Sequence, residues 1–415
     1  MPLALIATPA PPPVPEQPDG AAAVLRAALR RGPLARTAIS RETGLSPAAV
    51  SRHVADLLAL GLVYEPREQP AQPRPGRPRI PLDIDTGHHL AAGVHIAIPQ
   101  LTFSLTDLRG QVTAQEQAPR RADPTGVLQD IAALLPGFLR RHAGGRSVLG
   151  LGVVTGGRVD PESGVLVENS ALGWRQVPLR QTLRSATRLP IHVDSHARAL
   201  AQAELLFGAG QEEGAVRSTP DKSGGGRREG NLVHLFVGNV VDAAIAAGGV
   251  LLRGRDNSAG GIAHLPVPES TTPCPCGRTG CLQATVSDRA VAERAVAEGV
   301  VPRPELPLLL AAAGQGSRHA LELCRARLRL LAPAVALLLD MIGPDVLVLT
   351  EAVTMYLPEL LDELHQEVAA HTRQPVQQLV RPSSFGPGAL AVAAGAPVLA
   401  SVHRDPLALR TARSA

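Results

Sequence analysis

The apolar positions of the first sixty residues recur at helical spacing. In AAAVLRAALRR (21–31), Val24, Leu25, Ala28 and Leu29 fall on one face, and Gly32-Pro33 stops the run. A second short helix is expected over Leu34–Thr43, closed by Gly44. In LSPAAVSRHVADLLALG, Ser46 stands as N-cap, and Pro47 takes the first helical position, where its missing N–H costs nothing. Val50, Val54, Leu57 and Leu58 follow i, i+4, i+7, i+8 spacing towards a core, and Gly61 is placed to end the helix in the left-handed conformation. LVYEP and RIPLDID are strand-length segments that can pair around REQPAQPRPGRP. From about Leu90 the pattern changes. LAAGVHIAI, LTFSLTDL, VLGLGVVTGG, NLVHLFVGNV and DVLVLTEAV read as strands. Between and after them, helices fit GVLQDIAALLPGFLRRH, HARALAQAELLFGAG, SRHALELCRARLRLLAPAVALLLDMIG and YLPELLDELHQEVAAH. This is an α/β organisation, interrupted at 218–230 by STPDKSGGGRREG, which reads as a flexible surface insertion.

Two short helices around a glycine turn, the second with small and polar residues early, form a helix-turn-helix pattern. Ala48, Ala49, Ser51 and Arg52 point away from its core, where they reach base edges or phosphates in a major groove. A plain three-helix bundle with a solvated basic face fits the same spacing. Charge favours the nucleic-acid reading. Residues 20–80 hold ten arginines and four acids, a net +6 in a chain whose total is +4. Within the predicted wing, Arg74, Arg77 and Arg79 lie on a proline-stiffened strand suited to a narrow minor groove, or to a basic linker without DNA contact.

At 415 residues the chain has room for two or three domains, and 45% hydrophobic content supports packed cores. Aromatics are 2%, so aliphatic side chains and alanine must fill those cores. The proline-rich residues 1–20 lack a basic n-region and read as a disordered leader rather than a signal peptide. No uninterrupted apolar stretch is long enough to span a bilayer, so a cytoplasmic protein without membrane contact is expected. Four cysteines argue against a secreted disulfide framework. Three of them, Cys274, Cys276 and Cys281, fall within CPCGRTGC, and His264 lies upstream. Cys₃His is a common tetrahedral zinc set, and thiolates select zinc over hard cations. Reduced cysteines that merely pack are the alternative. Four protein ligands leave no open position, so the zinc is expected to be structural. Cys324 reads as a buried apolar residue.

A winged helix followed by DLRG, VDPESGVLVENSALGW, AQAELLFGAG, LLRG, AGGIAH and CPCGRTGC resembles the ROK family of repressors and sugar kinases, over roughly residues 22–405. The resemblance implies an actin-like, sugar-kinase two-lobed α/β fold, preceded by an all-α winged helix-turn-helix domain at 21–84. The lobes then fall at 88–200 with 385–410, and at 201–384, the latter carrying the zinc loop 264–283. It also implies a dimer or tetramer, and His264 as the fourth metal ligand.

Against the family's kinases the catalytic positions differ. His95 stands where an aspartate belongs, and Ala97, Ile98 and Pro99 replace a phosphate-binding turn. The second phosphate loop reads GNVVDA from Gly238, and Thr350, Glu351 and Ala352 replace glycines near the nucleotide. Where the kinases carry N-D-A-N, this chain has Ser195, His196, Ala197 and Arg198. At the family's sugar contacts it has Ala171, Gly261 and Gln283, and only His264 is retained. These five (Ala171, His196, Gly261, His264 and Gln283) are the candidate ligand-binding residues.

The expected protein is therefore a transcriptional regulator, repressing from a palindromic double-stranded operator, with a non-catalytic region for dimerisation and for sensing a sugar-like effector. Its alternatives are an active ATP-dependent sugar kinase with an added DNA-binding domain, and a ligand-independent regulator controlled by a protein partner.

Overall fold

Three helices form where the N-terminal periodicity places them: α1 (Gly20–Arg31), α2 (Arg36–Thr43) and α3 (Pro47–Leu60). The computed structural model describes residues 20–66, 81–211 and 230–412. Ser46 caps α3 by accepting a hydrogen bond from the Ala49 N–H at 3.2 Å. Gly44 and Gly61 end α2 and α3 at φ 71° and 69°. Val50, Val54 and Leu57 are buried as expected, but Leu58 is only half-buried, and Leu60 fills the core instead. Leu34–Ala35, expected as the start of α2, is a short strand β1. It joins β2 (Val63–Tyr64) and β3 (Pro81–Ile84) in the order β1-β3-β2. The wing residues Arg74, Arg77 and Arg79, the leader 1–19 and most of the 218–230 insertion lie outside the described residues.

The chain divides into two compact units, one of Met1–Asp83 with Val402–Ala415, the other of Ile84–Ser401. The C-terminal end of the expected 385–410 lobe piece therefore groups with the helix-turn-helix. Its local reason is an ion pair from Arg410 to Asp56 on α3 at 2.5 Å.

The second unit begins with β4 (His89–Ile96), β5 (Gln100–Thr106), β6 (Val112–Pro119), α4 (Pro124–His142) and β7 (Ser147–Thr155). A small meander follows, β8 (Arg158–Asp160), β9 (Val165–Asn169) and β10 (Trp174–Val177), then α5 (Leu179–Thr187), β11 (Ile191–Ser195) and α6 (His196–Phe207). The first sheet runs β11-β7-β4-β5-β6, parallel through β4 and antiparallel beyond it. The second half contains β12 (Leu232–Val237), β13 (Val241–Ala247), β14 (Val250–Leu251), α7 (Leu282–Val286), α8 (Asp288–Ala297), α9 (Leu306–Gly314) and α10 (Arg318–Ile342). It closes with β15 (Val346–Glu351), α11 (Ala352–Tyr356), α12 (Leu360–Ala369), α13 (Val376–Leu379), β16 (Val380–Pro382) and α14 (Ala389–Arg404). Its sheet runs β14-β13-β12-β15-β16.

Each sheet has its own aliphatic core. A third core lies between them, where Ala197, Leu200 and Ala201 of α6 meet Leu232, Phe236 and Val348 of the second sheet and Ala393 of α14. The expected lobe boundary at 200/201 thus cuts through a helix that belongs to this shared core. At Gly93 and Gly152 an added Cβ would collide with the Ala394 backbone, so glycine there lets α14 lie directly on β4 and β7. The segment Gly386–Arg404 is long and apolar enough to cross a membrane, contrary to expectation, but 67% of it is buried inside the protein.

Glu204 of α6 is fully buried, yet its carboxylate accepts four hydrogen bonds. Ser383 Oγ donates at 2.8 Å, Ser384 N–H at 2.9 Å, Ser384 Oγ at 2.8 Å and Ala209 N–H at 2.9 Å. This one group fixes the loop entering α14. Glu204→Ala would strand two backbone donors and two hydroxyls, and is expected to cost about 3–5 kcal/mol, since each buried donor left unpaired costs about 1–3. Urea unfolding followed at Trp174 checks this. A change below about 1 kcal/mol would mean that the loop finds other partners.

Candidate functional site

The loop between β14 and α7 is tied to itself before any metal is considered. Isolated bridges join Pro266 to Cys281 and Pro273 to Thr279, and Cys274 N–H donates to Arg278 O at 2.8 Å. Gly277 and Gly280, at φ 87° and 66°, supply the left-handed turns this path needs. The result gathers His264, Cys274, Cys276 and Cys281, with all four donor atoms within 4.8 Å of one another. Cys274 Sγ lies 3.6 Å from His264 Nδ1, and Cys276 Sγ lies 3.7 Å from Cys281 Sγ. Tetrahedral zinc with Zn–S of about 2.3 Å requires S···S edges near 3.8 Å, so the donor set and its spacing fit that ion. Among the described residues this is the cluster able to hold a metal.

Immediately after Cys281, Gln283 turns away from the cluster and is already engaged. Its Oε1 accepts from Val241 N–H at 3.1 Å, and its Nε2 donates to Ser170 Oγ at 3.3 Å. It therefore ties the second sheet to the turn after β9. Ala171 beside Ser170 is half-buried, whereas Gly261 and His264 are exposed.

His196 departs from the picture of a free cleft residue. It is buried at the start of α6, with its Nε2 2.8 Å from His95 Nε2 on β4. One imidazole must donate and the other accept, so the accepting ring carries no proton on Nε2 and the two cannot both be charged in this contact. Burial pushes His95 down to about 4, and holds His196 well below the ordinary histidine value, with His95 adding to the effect. Phe236 of β12 sits edge-on to His196 at 4.9 Å between ring centres. A Cβ on Gly156 would meet Val240 Cγ2 at 2.8 Å, so the β7–β8 turn and the GNVVDA loop are in close contact.

Other residues at the catalytic positions are held by neighbouring or buried partners. Arg198 Nε donates to Asp194 Oδ1, and Gln202 Nε2 to Asp194 Oδ2, each at 2.8 Å. Glu351 caps α11 by accepting from Thr354 N–H at 2.8 Å, and pairs with the fully buried Arg327 at 3.0 Å. Arg327 also reaches Asp288 at 2.8 Å and Val237 O at 3.3 Å. Sequence reasoning noted Glu351 but missed Arg327. The signal was an arginine on the apolar face of α10, between Leu323, Leu328 and Leu331. In the other unit Ser46, Ala48, Ser51 and Arg52 are exposed and Ala49 half-buried along the outer face of α3.

The ROK family model matches residues 91–219 and 220–402, and a MarR family model matches residues 18–73. The chain belongs to the ROK family. Over 402 residues it is 33% identical to "Transcriptional regulator Rv0485" of Mycobacterium tuberculosis, covering 94% of this chain and 87% of that protein. It is 27% identical to "DNA-binding transcriptional dual regulator NagC" of Escherichia coli, covering 89% of this chain and 91% of the relative. A ROK family transcriptional regulator described as a homologue of the E. coli MLC protein superposes with a TM-score of 0.74 at 22% identity, over 96% of this chain and all of that one. A ROK glucokinase from Streptomyces griseus, solved with glucose and AMPPNP, gives 0.62 at 23% identity over 74% of this chain and 98% of its own. The fold is therefore a winged helix-turn-helix followed by the ROK actin-like, sugar-kinase fold.

Proposed function

We propose that the chain is a DNA-binding transcriptional regulator that represses from a palindromic operator, one winged helix per half-site. One observation carries the reading. A capped helix with an exposed small-polar-basic face precedes a ROK region in which His95 and His196 contact each other in a buried pair, and Arg198 and Glu351 are tied to Asp194 and Arg327. The similarity to Rv0485 and NagC, both named as transcriptional regulators, supports it. Ser46, Ala48, Ala49, Ser51 and Arg52 are assigned to the major groove, and Arg74, Arg77 and Arg79 to the minor groove. The protein acts as a homo-oligomer in the cytoplasm, without kinase turnover. His264, Cys274, Cys276 and Cys281 would hold one structural zinc. A polar neutral effector would meet Ala171, Gly261, His264 and Gln283 only after the Gln283–Ser170 contact opens, and His196, buried against His95, would have to be uncovered to join them.

Selection of bound sites from random duplexes, followed by titration, tests this. Arg52→Ala is expected to weaken the selected site by about 1–3 kcal/mol, roughly 5- to 150-fold, and to relax preference at one base pair. Replacing Arg74, Arg77 and Arg79 together is expected to weaken binding most at sites with an A·T-rich, narrow minor groove and to lower the salt dependence. Parent-like binding by both variants would refute the assignment. ADP release from ATP with hexoses, abolished by His196→Ala, would instead establish the kinase reading.

A further inference from the structure

Among the described residues Cys276 is the exposed thiol, whereas Cys274, Cys281 and Cys324 are buried. The metal cluster therefore has one sulfur that a solute can reach. That sulfur lies 3.7 Å from Cys281 Sγ, while Cys274 Sγ is engaged with His264 Nδ1 at 3.6 Å. A disulfide holds its sulfurs about 2.05 Å apart, so Cys276 and Cys281 fall short of one by less than about 2 Å. The two differ in freedom. Cys281 is fixed by its bridge to Pro266 and by Leu282 N–H donating to Leu265 O at 2.8 Å. Cys276 precedes Gly277, which stands at φ 87° and where an added Cβ would meet no atom within 4 Å, so the turn carrying this thiol has open space beside it. An accessible, movable sulfur in front of a buried, fixed one is the arrangement of an attacking and a resolving thiol.

We propose that Cys276 and Cys281 form a site of reversible oxidation by hydroperoxides, and that closing their disulfide gives up the ion that the reduced cluster holds. The proposal rests on the zinc reading above and adds a modification to that site. The Cys276 thiolate attacks a peroxide oxygen, the O–O bond breaks, an alkoxide or hydroxide leaves, and Cys276 becomes a sulfenic acid. The Cys281 thiolate then attacks the Cys276 sulfur, the S–O bond breaks, hydroxide leaves, and the S–S bond forms. The two sulfurs lose two electrons and the peroxide gains them. Two protons from solvent turn the two leaving anions into water, or into water and an alcohol. His264 and Cys274 then remain as donors, short of the four that a closed tetrahedral site uses. His264 belongs both to this set and to the candidate effector contacts, so oxidation at Cys276 reaches the effector residues through the imidazole it frees. An exposed disulfide is open to thiol exchange, which makes the change reversible.

Hydrogen peroxide added to the full chain, with released zinc read by a chelating dye and cysteine pairing read by mass spectrometry without reduction, is the test. Trypsin cuts after Arg278, between the two thiols, so their disulfide joins two peptides, and fragmentation tells Cys276 from Cys274. One zinc per chain is expected to leave in step with a Cys276–Cys281 cross-link. Dithiothreitol with added zinc is expected to restore both thiols and the metal. Cys276→Ser is expected to lose the cross-link. Cys274→Ser, which keeps the reacting pair, is expected to form it whether or not that variant binds zinc. A chain holding no zinc as purified would overturn the metal reading, and with it the release, while the cross-link would still decide the oxidation. Cross-links through Cys274, Cys276 carried only to a sulfinic acid, or thiols that stay reduced under peroxide would overturn the oxidation site and leave the metal reading standing.

Discussion

Chelation of the His264–Cys274–Cys276–Cys281 cluster, or Cys281→Ser, is expected to produce the largest loss of stability of any local change in this protein. The loop 264–283 contributes few apolar side chains of its own to the core, chiefly Val267, Cys274, Cys281 and Leu282. Its path depends on backbone bonds spaced along many residues, such as Val267 N–H to Gly280 O at 2.7 Å. Without an ion, three sulfurs and an imidazole held this close lose their attraction to a common centre and carry only mutual desolvation and repulsion. Structural zinc contributes about 10–16 kcal/mol of binding to small peptide sites, and part of that would be folding free energy in this protein. We expect one zinc per chain by elemental analysis and a melting temperature lowered by chelator. New proteolytic cleavage should appear within 264–283. Gln283 follows the cluster directly, so its bonds to Val241 and Ser170 should loosen too, read as faster amide exchange at Val241. A protein purified without metal that melts at the same temperature as the zinc-loaded form would sink the structural assignment.

The gathering of His264, Cys274, Cys276 and Cys281 was readable in the sequence because the four lie within eighteen residues and glycines mark the turns between them. Likewise α3 was readable end to end, since Ser46, Pro47 and Gly61 act on their own backbone. Where the sequence misled, partners distant in the chain decided. Leu58 fits the local period, yet it is only half-buried and Leu60 is buried instead. His196 matched a catalytic position, and only the fold brings it to His95, 101 residues away, and converts a candidate base into a buried pair. Arg327 and Glu204 are charges whose roles depend on residues across the unit, and no periodicity announces such partners. The grouping of residues beyond 401 with the helix-turn-helix is of the same kind, resting on contacts such as Arg410 to Asp56.

Stability of the second unit is expected to fall steeply as the pH drops from about 6.5 towards 4. Among the buried histidines of the described residues, His95, His196 and His234 are held below the ordinary value by burial and so stay neutral near pH 7. Burial lowers His95 to about 4 and His234 to about 3, and holds His196 well below its ordinary value. The unfolded chain takes up these protons near pH 6.5, while the folded chain refuses them until much lower. Between those limits the unfolded state binds more protons, so unfolding free energy rises with pH and is lost on acidification. For His95 alone the shift from 6.5 to about 4 corresponds to about 3 kcal/mol, the full loss being reached only below its folded value. His234 adds to it: it is wholly buried on β12, with Nε2 3.2 Å from Thr350 Oγ1 and Nδ1 without a hydrogen-bond partner, so little there would solvate a charge. Most carboxylates titrate lower. Burial raises Asp242 to about 7, however, so the folded chain takes up that proton across the interval and the aspartate opposes the decline. The comparison is therefore made in an Asp242→Asn background, where the interval from 6.5 to 5 reports the histidines. Trp174, the single tryptophan, is buried on β10 with its Nε1 donating to Ala122 O at 3.0 Å, and so reports this unit. Urea midpoints at pH 7, 6 and 5 followed at Trp174 should decline, and His95→Gln, which can still hydrogen-bond His196 but cannot titrate, should flatten the decline. Equal midpoints at the three pH values would mean that these rings are hydrated and free to charge in the folded protein. A decline unchanged in His95→Gln would place the effect on His234, and His234→Gln would then have to flatten it.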